Sequence, residues 1–257
     1  IGLWRPEFAQ RLATVPGHLG AERFGLGQRD WESLAANVDA VVHSGVNMNL
    51  AQTYQYLHPV NIEGTRQCLR FCCEGRLKPV HYQSSLAVID QIFVEDDAAP
   101  FKEDMEYTSY KGMPGGYLLT RWASERMMWR AMRRGIPVAI YRYAPVSGDL
   151  RSHLCDRTEM YWRYLRLYCQ TNVTPIAKRN VNILPADVSA EAVRLLAEDP
   201  ACYGHAHHIC NPVSEPSSIW GDYLERLGYP IRRMEPQAWF DFLTSRPDDF
   251  YDDNARM

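Results

Sequence analysis

The sequence predicts an α/β fold: a parallel sheet covered by helices over residues 1–148, followed by a smaller, mostly helical part over 149–257. Two observations carry this. Short apolar runs of strand length alternate with helical periods, and that alternation builds a parallel sheet with helices on both faces. Beyond Gly148 the alternation stops and helical spacing takes over. Hydrophobic residues make up 46% of the 257, enough apolar material for a sizeable core.

Taken in order, Arg11–Val15 reads as a short strand ending in Pro16-Gly17-His18-Leu19. Gln28–Val38 has helical periodicity, with Trp31, Leu34 and Ala35 on one face. Asp39–His43 has the length and β-branched content of a buried parallel strand. After a polar loop, Asn61–Arg76 reads as a helix, and Val80–Gln83 as a strand ending in the paired Ser84 and Ser85. Gly116–Arg134 is a long run of good helix formers stopped by Gly135, and Pro137–Tyr143 is the next strand. In the second part, Tyr161, Tyr164, Leu165 and Tyr168 mark a helix, and Val181–Leu184 a short strand. Further helices are predicted at Ser189–Leu196, Ser217–Leu227 and Pro236–Leu243, and the acidic Asp248–Asp253 reads as a solvated tail.

Composition excludes several function classes. A net charge of -3 offers no concentrated basic face for nucleic acid or an anionic membrane. No apolar run reaches the length of a membrane span, and no signal-peptide pattern opens the chain. It begins Ile1-Gly2-Leu3-Trp4, without methionine, as a processed piece or an excised domain would. Seven cysteines, odd in number and without a CxxC pair, predict reduced thiols in a cytoplasmic protein. His205, His207, His208 and Cys210 alternate along one short segment with no second ligand cluster, so no metal is predicted.

The chemistry-bearing constellation is Ser85 with Tyr117 and Arg121. Residues four apart on a helix share a face one turn apart. A phenol is a poor acid at neutral pH, and a fixed cation beside it favours the phenolate and brings its pKa toward the working range. A serine hydroxyl at a strand end can hydrogen-bond the same carbonyl oxygen. Together these describe a hydride-transfer site in which Tyr117 protonates the oxygen. A Tyr-x-x-x-Arg pair alone is usually structural. Ser84 or Ser85 as a hydrolase nucleophile would need flanking glycines that Gln83-Ser84-Ser85-Leu86 lacks.

Further segments place the pair in a pattern. Val15-Pro16-Gly17-His18-Leu19 with Gly25-Leu26 and Trp31 resembles a "GDL…GL…W" stretch. Val41 to Asn49 resembles the turn after a fourth strand, and Asn61-Ile62-Glu63-Gly64-Thr65 an "NVxGT" helix start. His81 to Ser85 is similar to "YxST", and Gly116 to Glu125 to "GYxxSKWxxE". Pro137 to Arg142 with Ser147-Gly148, Pro185 to Val188 ("PVDxV") and His208 to Pro212 ("YHLxNP") continue the series in order. In this the chain resembles the extended short-chain dehydrogenase/reductase family. More narrowly, it resembles the thioester-reductase domains that end some nonribosomal peptide and polyketide synthetases, relatives of the carboxylic acid and fatty acyl-CoA reductases.

The resemblance implies a Rossmann-like sheet, N-terminally incomplete, with a helical substrate subdomain. It implies NADPH as cofactor and, as partner, an acyl or peptidyl carrier protein bearing a phosphopantetheine thioester. That thioester would be reduced to an aldehyde or alcohol. Ser85, Tyr117 and Arg121 take the catalytic positions. Cofactor contacts fall on His18, Leu19, Ser44, Gly45, Asn47, Asn61, Tyr117, Arg121, Tyr143, Ala144, Pro145 and Val146, and Asn49 lies near the cofactor path. Three departures stand out. Arg121 replaces the family's lysine with a larger, rigid fork. His18 replaces an acid. The family's opening strand and glycine-rich phosphate-binding turn are absent, so about 30 residues or more lie upstream of Ile1 or nowhere, and weak dinucleotide binding by this chain is expected. Such departures leave two alternatives open: a redox-inactive domain releasing product by Dieckmann-type cyclisation, or a catalytically dead module that docks a carrier protein.

Overall fold

The computed structural model describes residues 4–90, 101–176 and 180–245; the acidic stretch 248–253 lies outside them. In chain order the elements are α1 (Gln28–Asn37), β1 (Val41–His43), α2 (Tyr54–Cys73), β2 (Val80–Ser85), α3 (Ala87–Asp90), α4 (Gly115–Met132) and β3 (Val138–Tyr143). There follow α5 (Met160–Thr171), β4 (Val173–Pro175), β5 (Asn180–Val181), α6 (Ala186–Glu198), β6 (Ala206–Ile209), β7 (Glu215–Pro216), α7 (Ile219–Arg226), β8 (Arg232–Met234) and α8 (Pro236–Thr244).

The chain divides into two compact units. The first takes Ile1–Tyr143 and the later stretch Leu195–His208, and the second takes Ala144–Arg194 and Ile209–Met257. The main sheet has the order β1-β2-β3-β6. β1 runs parallel to β2 with Val41 opposite Val80, and β2 parallel to β3 from Val80 opposite Val138 to Ser85 opposite Tyr143. Strand β6, which the sequence places in the second part, closes this sheet beside β3. There Gly204 N donates to Val138 O (2.8 Å) and Ile140 N to His205 O (3.0 Å).

Strand alternation sorts the side chains of β2 and β3 into two layers. Val80, Tyr82, Val138 and Ile140 turn to α2 and α4, where they pack with Cys68, Cys72 and Met128. The opposite layer holds His81, whose Nδ1 meets Tyr141 Oη at 2.8 Å and whose Nε2 meets Tyr203 Oη at 3.2 Å. α1 adds its own cluster, with Trp31 edge-on to Phe71 of α2 at 5.0 Å.

Helices α2 and α4 approach closely where both begin. A Cβ on Gly116 would lie 2.2 Å from Thr53 C and 2.3 Å from Tyr54 N, so any larger residue there would push the two helix starts apart. Thr53 caps α2 by accepting from Tyr56 N (3.3 Å). At the other end the fully buried Lys78 donates to Phe71 O (3.4 Å) and Glu74 O (2.7 Å), a cation on the last carbonyls of the helix, and to Arg76 O (2.9 Å) just beyond it.

The second unit contains two small sheets, β4 parallel to β8 and β5 antiparallel to β7. Tyr168 of α5 meets Trp239 of α8 edge-on at 6.2 Å. Of the strand predicted at Val181–Leu184 only its start joins β5, while Leu184 bridges Val146 instead. The seven cysteines are all free, and no described helix is long and apolar enough to cross a membrane.

Candidate active site

Tyr117 is half-buried in the first turn of α4, just after Gly115, whose positive φ of 72° turns the chain into the helix. Arg121, one turn on, is buried. Its guanidinium donates to Gln83 O on β2 and lies 5.0 Å over the Tyr82 ring, and its Nε has no partner among the described residues. Burial pushes the Tyr82 phenol up to about 12. The cation predicted to face the cofactor is thus tied to the backbone of the strand that ends in the serine pair.

The two serines have different surroundings. Ser84 is buried and donates to Glu125 Oε2 at 2.5 Å, on the α4 side of the sheet. Ser85 is half-buried, and its Oγ accepts from Ala87 N (3.2 Å) at the start of α3. Among the described residues no hydrogen bond joins Ser85, Tyr117 and Arg121 to one another. Of the three, Ser85 belongs to the end of β2 and Arg121 is tied to it through Gln83 O, while Tyr117 stands one turn before Arg121 on α4.

Asn61 and Asn47, both predicted to line the cofactor path, bond to each other. Asn61 Oδ1 accepts from Asn47 N (2.8 Å), and Asn61 Nδ2 donates to Asn47 O (3.1 Å) and to Thr120 Oγ1 (2.9 Å). The buried Asn61 amide therefore fixes the loop after β1 against α4. Leu19 is seated between glycines: a Cβ on Gly45 would meet its Cδ1 at 2.5 Å, and one on Gly64 its Cβ at 3.2 Å. His18 and Ser44 are exposed beside these contacts, and Asn49 caps its own loop by accepting from Ala51 N (3.0 Å). The Tyr143 hydroxyl donates to Gln83 Oε1. Ala144, Pro145 and Val146 belong to the second unit. There Ala144 N donates to Ile209 O (2.9 Å) and Leu184 N to Pro145 O (3.0 Å).

Sequence reasoning left out His43. It is buried at the end of β1 with Nε2 3.2 Å from Thr65 Oγ1, and burial, helped by the Arg121 charge, lowers its pKa to about 4. A base whose folded pKa lies below its unfolded value of 6.5 binds fewer protons when folded. Its contribution is therefore intact above pH 6.5 and is lost as pH falls toward 4, by about 1.4 kcal/mol per pH unit. In urea titrations between pH 7 and 5, His43→Gln is expected to flatten this loss relative to the parent. Parallel curves for the two proteins would show that His43 is not the group responsible.

His207 and His208 are engaged elsewhere: His207 Nε2 meets Cys202 O (2.9 Å) and His208 Nε2 meets Arg142 Nη1 (3.2 Å). Among the described residues no group of three or more His, Cys, Asp or Glu could hold a metal.

A sheet whose β1, β2 and β3 run parallel, with helices packed on it, defines an α/β domain of Rossmann-like type. The chain belongs to the NAD-binding family described as Male sterility protein, whose family model matches residues 2–193. It is 27% identical to a linear gramicidin synthase of Brevibacillus parabrevis over 93% of its length, covering 5% of that protein. It is 30% identical to the L-2-aminoadipate reductase large subunit of Penicillium chrysogenum over 93% of its length, covering 18% of that protein. Among solved structures, it matches the terminal R domain of the myxalamid PKS-NRPS biosynthetic pathway with a TM-score of 0.91 and 28% identity. That match covers 96% of this chain and 63% of the other. The chain thus spans a quarter or less of the length of these curated relatives.

These residues fit one end of a dinucleotide. Arg121 Nε and Gln83 Nε2 are buried donors with no hydrogen-bond partner among the described residues, suited to a ribose or carbonyl oxygen. The described residues offer no matching cradle for the pyrophosphate. The start of α1 after Gly25-Leu26-Gly27 carries Asp30 in its first turn, an acid where a phosphate would need bare N–H groups.

Proposed function

We propose that this chain reduces a carrier-bound acyl or peptidyl thioester to an aldehyde or alcohol with NADPH. The observation carrying the reading is the attachment of Tyr117's helix, through Arg121, to the strand end that presents Ser85. The likeness to a solved terminal R domain at 28% identity supports it. NADPH, when bound, would provide the hydride for the thioester carbonyl carbon. Ser85 donates a hydrogen bond to the carbonyl oxygen, and Tyr117 delivers a proton to that oxygen as its charge develops. The hemithioacetal then collapses: its C–S bond breaks, the pantetheine sulfur leaves as thiol, and the aldehyde is free. Arg121 ties α4 to β2, and Asn61 ties the loop after β1 to α4. Ala144, Pro145 and Val146 are assigned to the cofactor by the family pattern. The second unit by itself holds an open, mainly apolar cavity of about 230 Å³ lined by Val181, Ile183, Val213, Ile219, Trp220 and Tyr223.

The commitment of Arg121 to Gln83 O favours a second reading, in which Ser85 and Tyr117 stabilise an enolate during cyclisation without hydride. One experiment separates the two. A carrier protein loaded with an acyl thioester is incubated with the full-length protein, and NADPH oxidation and thiol release are followed together. One NADPH per thiol is expected for an aldehyde and two for an alcohol. Thiol release with no NADPH consumed would overturn the reductase reading in favour of cyclisation, and no release at all would leave a docking role.

A further inference from the structure

We propose that Glu125 is a positioning residue for this site: its buried carboxylate clamps the end of β2 that presents Ser85 to the helix that presents Tyr117. The inference rests on the reductase reading for its kinetic consequence but not for its structural one. Tyr117, Arg121 and Glu125 follow one another at four-residue steps along one side of α4. Glu125 is 3% exposed and its two oxygens serve three elements. Oε2 accepts from Ser84 Oγ of β2 at 2.5 Å. Oε1 accepts from Arg142 Nε (3.0 Å) and Nη2 (2.7 Å) of β3, and from Trp129 Nε1 (3.3 Å) of α4 itself.

Arg142, fully buried, is held in turn by its remaining groups. Nη2 also donates to Met105 O (2.9 Å), Nη1 meets His208 Nε2 (3.2 Å), and the guanidinium lies 5.3 Å over Phe101. Ser84 and Arg142 are opposite each other in the β2–β3 register, so one carboxylate fixes both strands one residue before Ser85 and Tyr143. A buried ion pair gives little net stability over a well-packed apolar pair, so geometry is what we infer this one to specify. Here the geometry specified is the placement of Ser85 relative to α4, and an ångström of misplacement at a reacting group costs on the order of 100-fold in rate.

The test is Ser84→Ala, which cuts the link from β2 to the carboxylate and leaves the Glu125–Arg142 pair whole, with Ser84→Thr restoring a hydroxyl. Two readouts are taken on the full-length protein. In thioester turnover, Ser84→Ala is expected to lower kcat about 10- to 100-fold with KM for NADPH and thioester within about twofold, and Ser84→Thr to recover most of it. In amide hydrogen exchange, Leu86 and Ala87 are expected to exchange at least about tenfold faster in Ser84→Ala, while Ile140 in β3 is unchanged. Unchanged exchange at residues 86 and 87, or an equal rise throughout β2 and β3, would overturn the clamp whether or not the parent turns over. If the parent consumes no NADPH, the reductase reading falls, and exchange alone decides on Glu125. Normal exchange differences with an unaltered kcat would show a clamp that does not serve catalysis, and overturn the positioning role.

Discussion

Replacing Tyr117 by phenylalanine is expected to lower kcat for thioester reduction by two to four orders of magnitude, the usual worth of a positioned general acid. The effect should fall on kcat and not on KM. Phenylalanine keeps the aromatic ring in the first turn of α4, so cofactor and thioester bind as before, while the oxygen that becomes negative as hydride arrives loses its proton source. The phenol forms no hydrogen bond with Ser85 or Arg121 among the described residues, so its removal leaves no buried partner unpaired, and the unfolding midpoint should stay within a degree or two of the parent, about 0.5 kcal/mol. Steady-state kinetics beside a thermal melt checks both halves. A variant retaining most of its rate would remove Tyr117 from the acid role and leave water or another donor to supply the proton.

The largest effect on stability is expected at Arg142. Truncation to alanine leaves the Glu125 carboxylate buried with only Ser84 and Trp129 as donors among the described residues, and breaking one side of a buried ion pair typically costs about 3–5 kcal/mol. It also frees Met105 O and removes the guanidinium from the Phe101 face, loosening the segment from 101 to 105. Urea denaturation should report the loss as a lower midpoint with an unchanged slope. Pairing Arg142→Met with Glu125→Leu should recover much of it, since an apolar pair of similar volume removes both charges together. A single variant within 1 kcal/mol of the parent would mean that water reaches Glu125 and that the pair is not sealed.

The sheet was legible because its strands are apolar runs between helices, and β1, β2 and β3 lie where those runs are. Where the reading departed from the structure, a physical reason is visible. Arg11–Val15 has strand composition, yet residues 12–18 form no strand: Leu12 is 64% and Val15 48% exposed, with no neighbouring strand among the described residues to take up their backbone groups. Helix α2 begins at Tyr54, seven residues before its predicted start, because Pro59 reads as a break while the Thr53 cap starts the helix ahead of it. Strand β8, Arg232-Arg233-Met234, carries no apolar alternation and exists through its pairing with β4. The candidate site was legible as residue types and order. The direction of Arg121 and the partners of Glu125 were not, since they depend on contacts to residues 38 and 41 positions away in the chain.

The first unit is interrupted in the chain: its sheet is finished by β6, which follows an excursion through most of α6 in the other unit. During synthesis, β3 therefore emerges from the ribosome with one side unpaired and stays so until residues 204–209 have been made. An unpaired edge on an apolar parallel strand invites association with other nascent chains. The delay is matched by the chemistry of that edge. Arg142 and Tyr141 stand beside its valine, alanine and isoleucine, and a charge on a waiting edge is a common means of keeping it from pairing with the wrong neighbour. The same arginine that later locks into Glu125 would thus act first as a gatekeeper against aggregation.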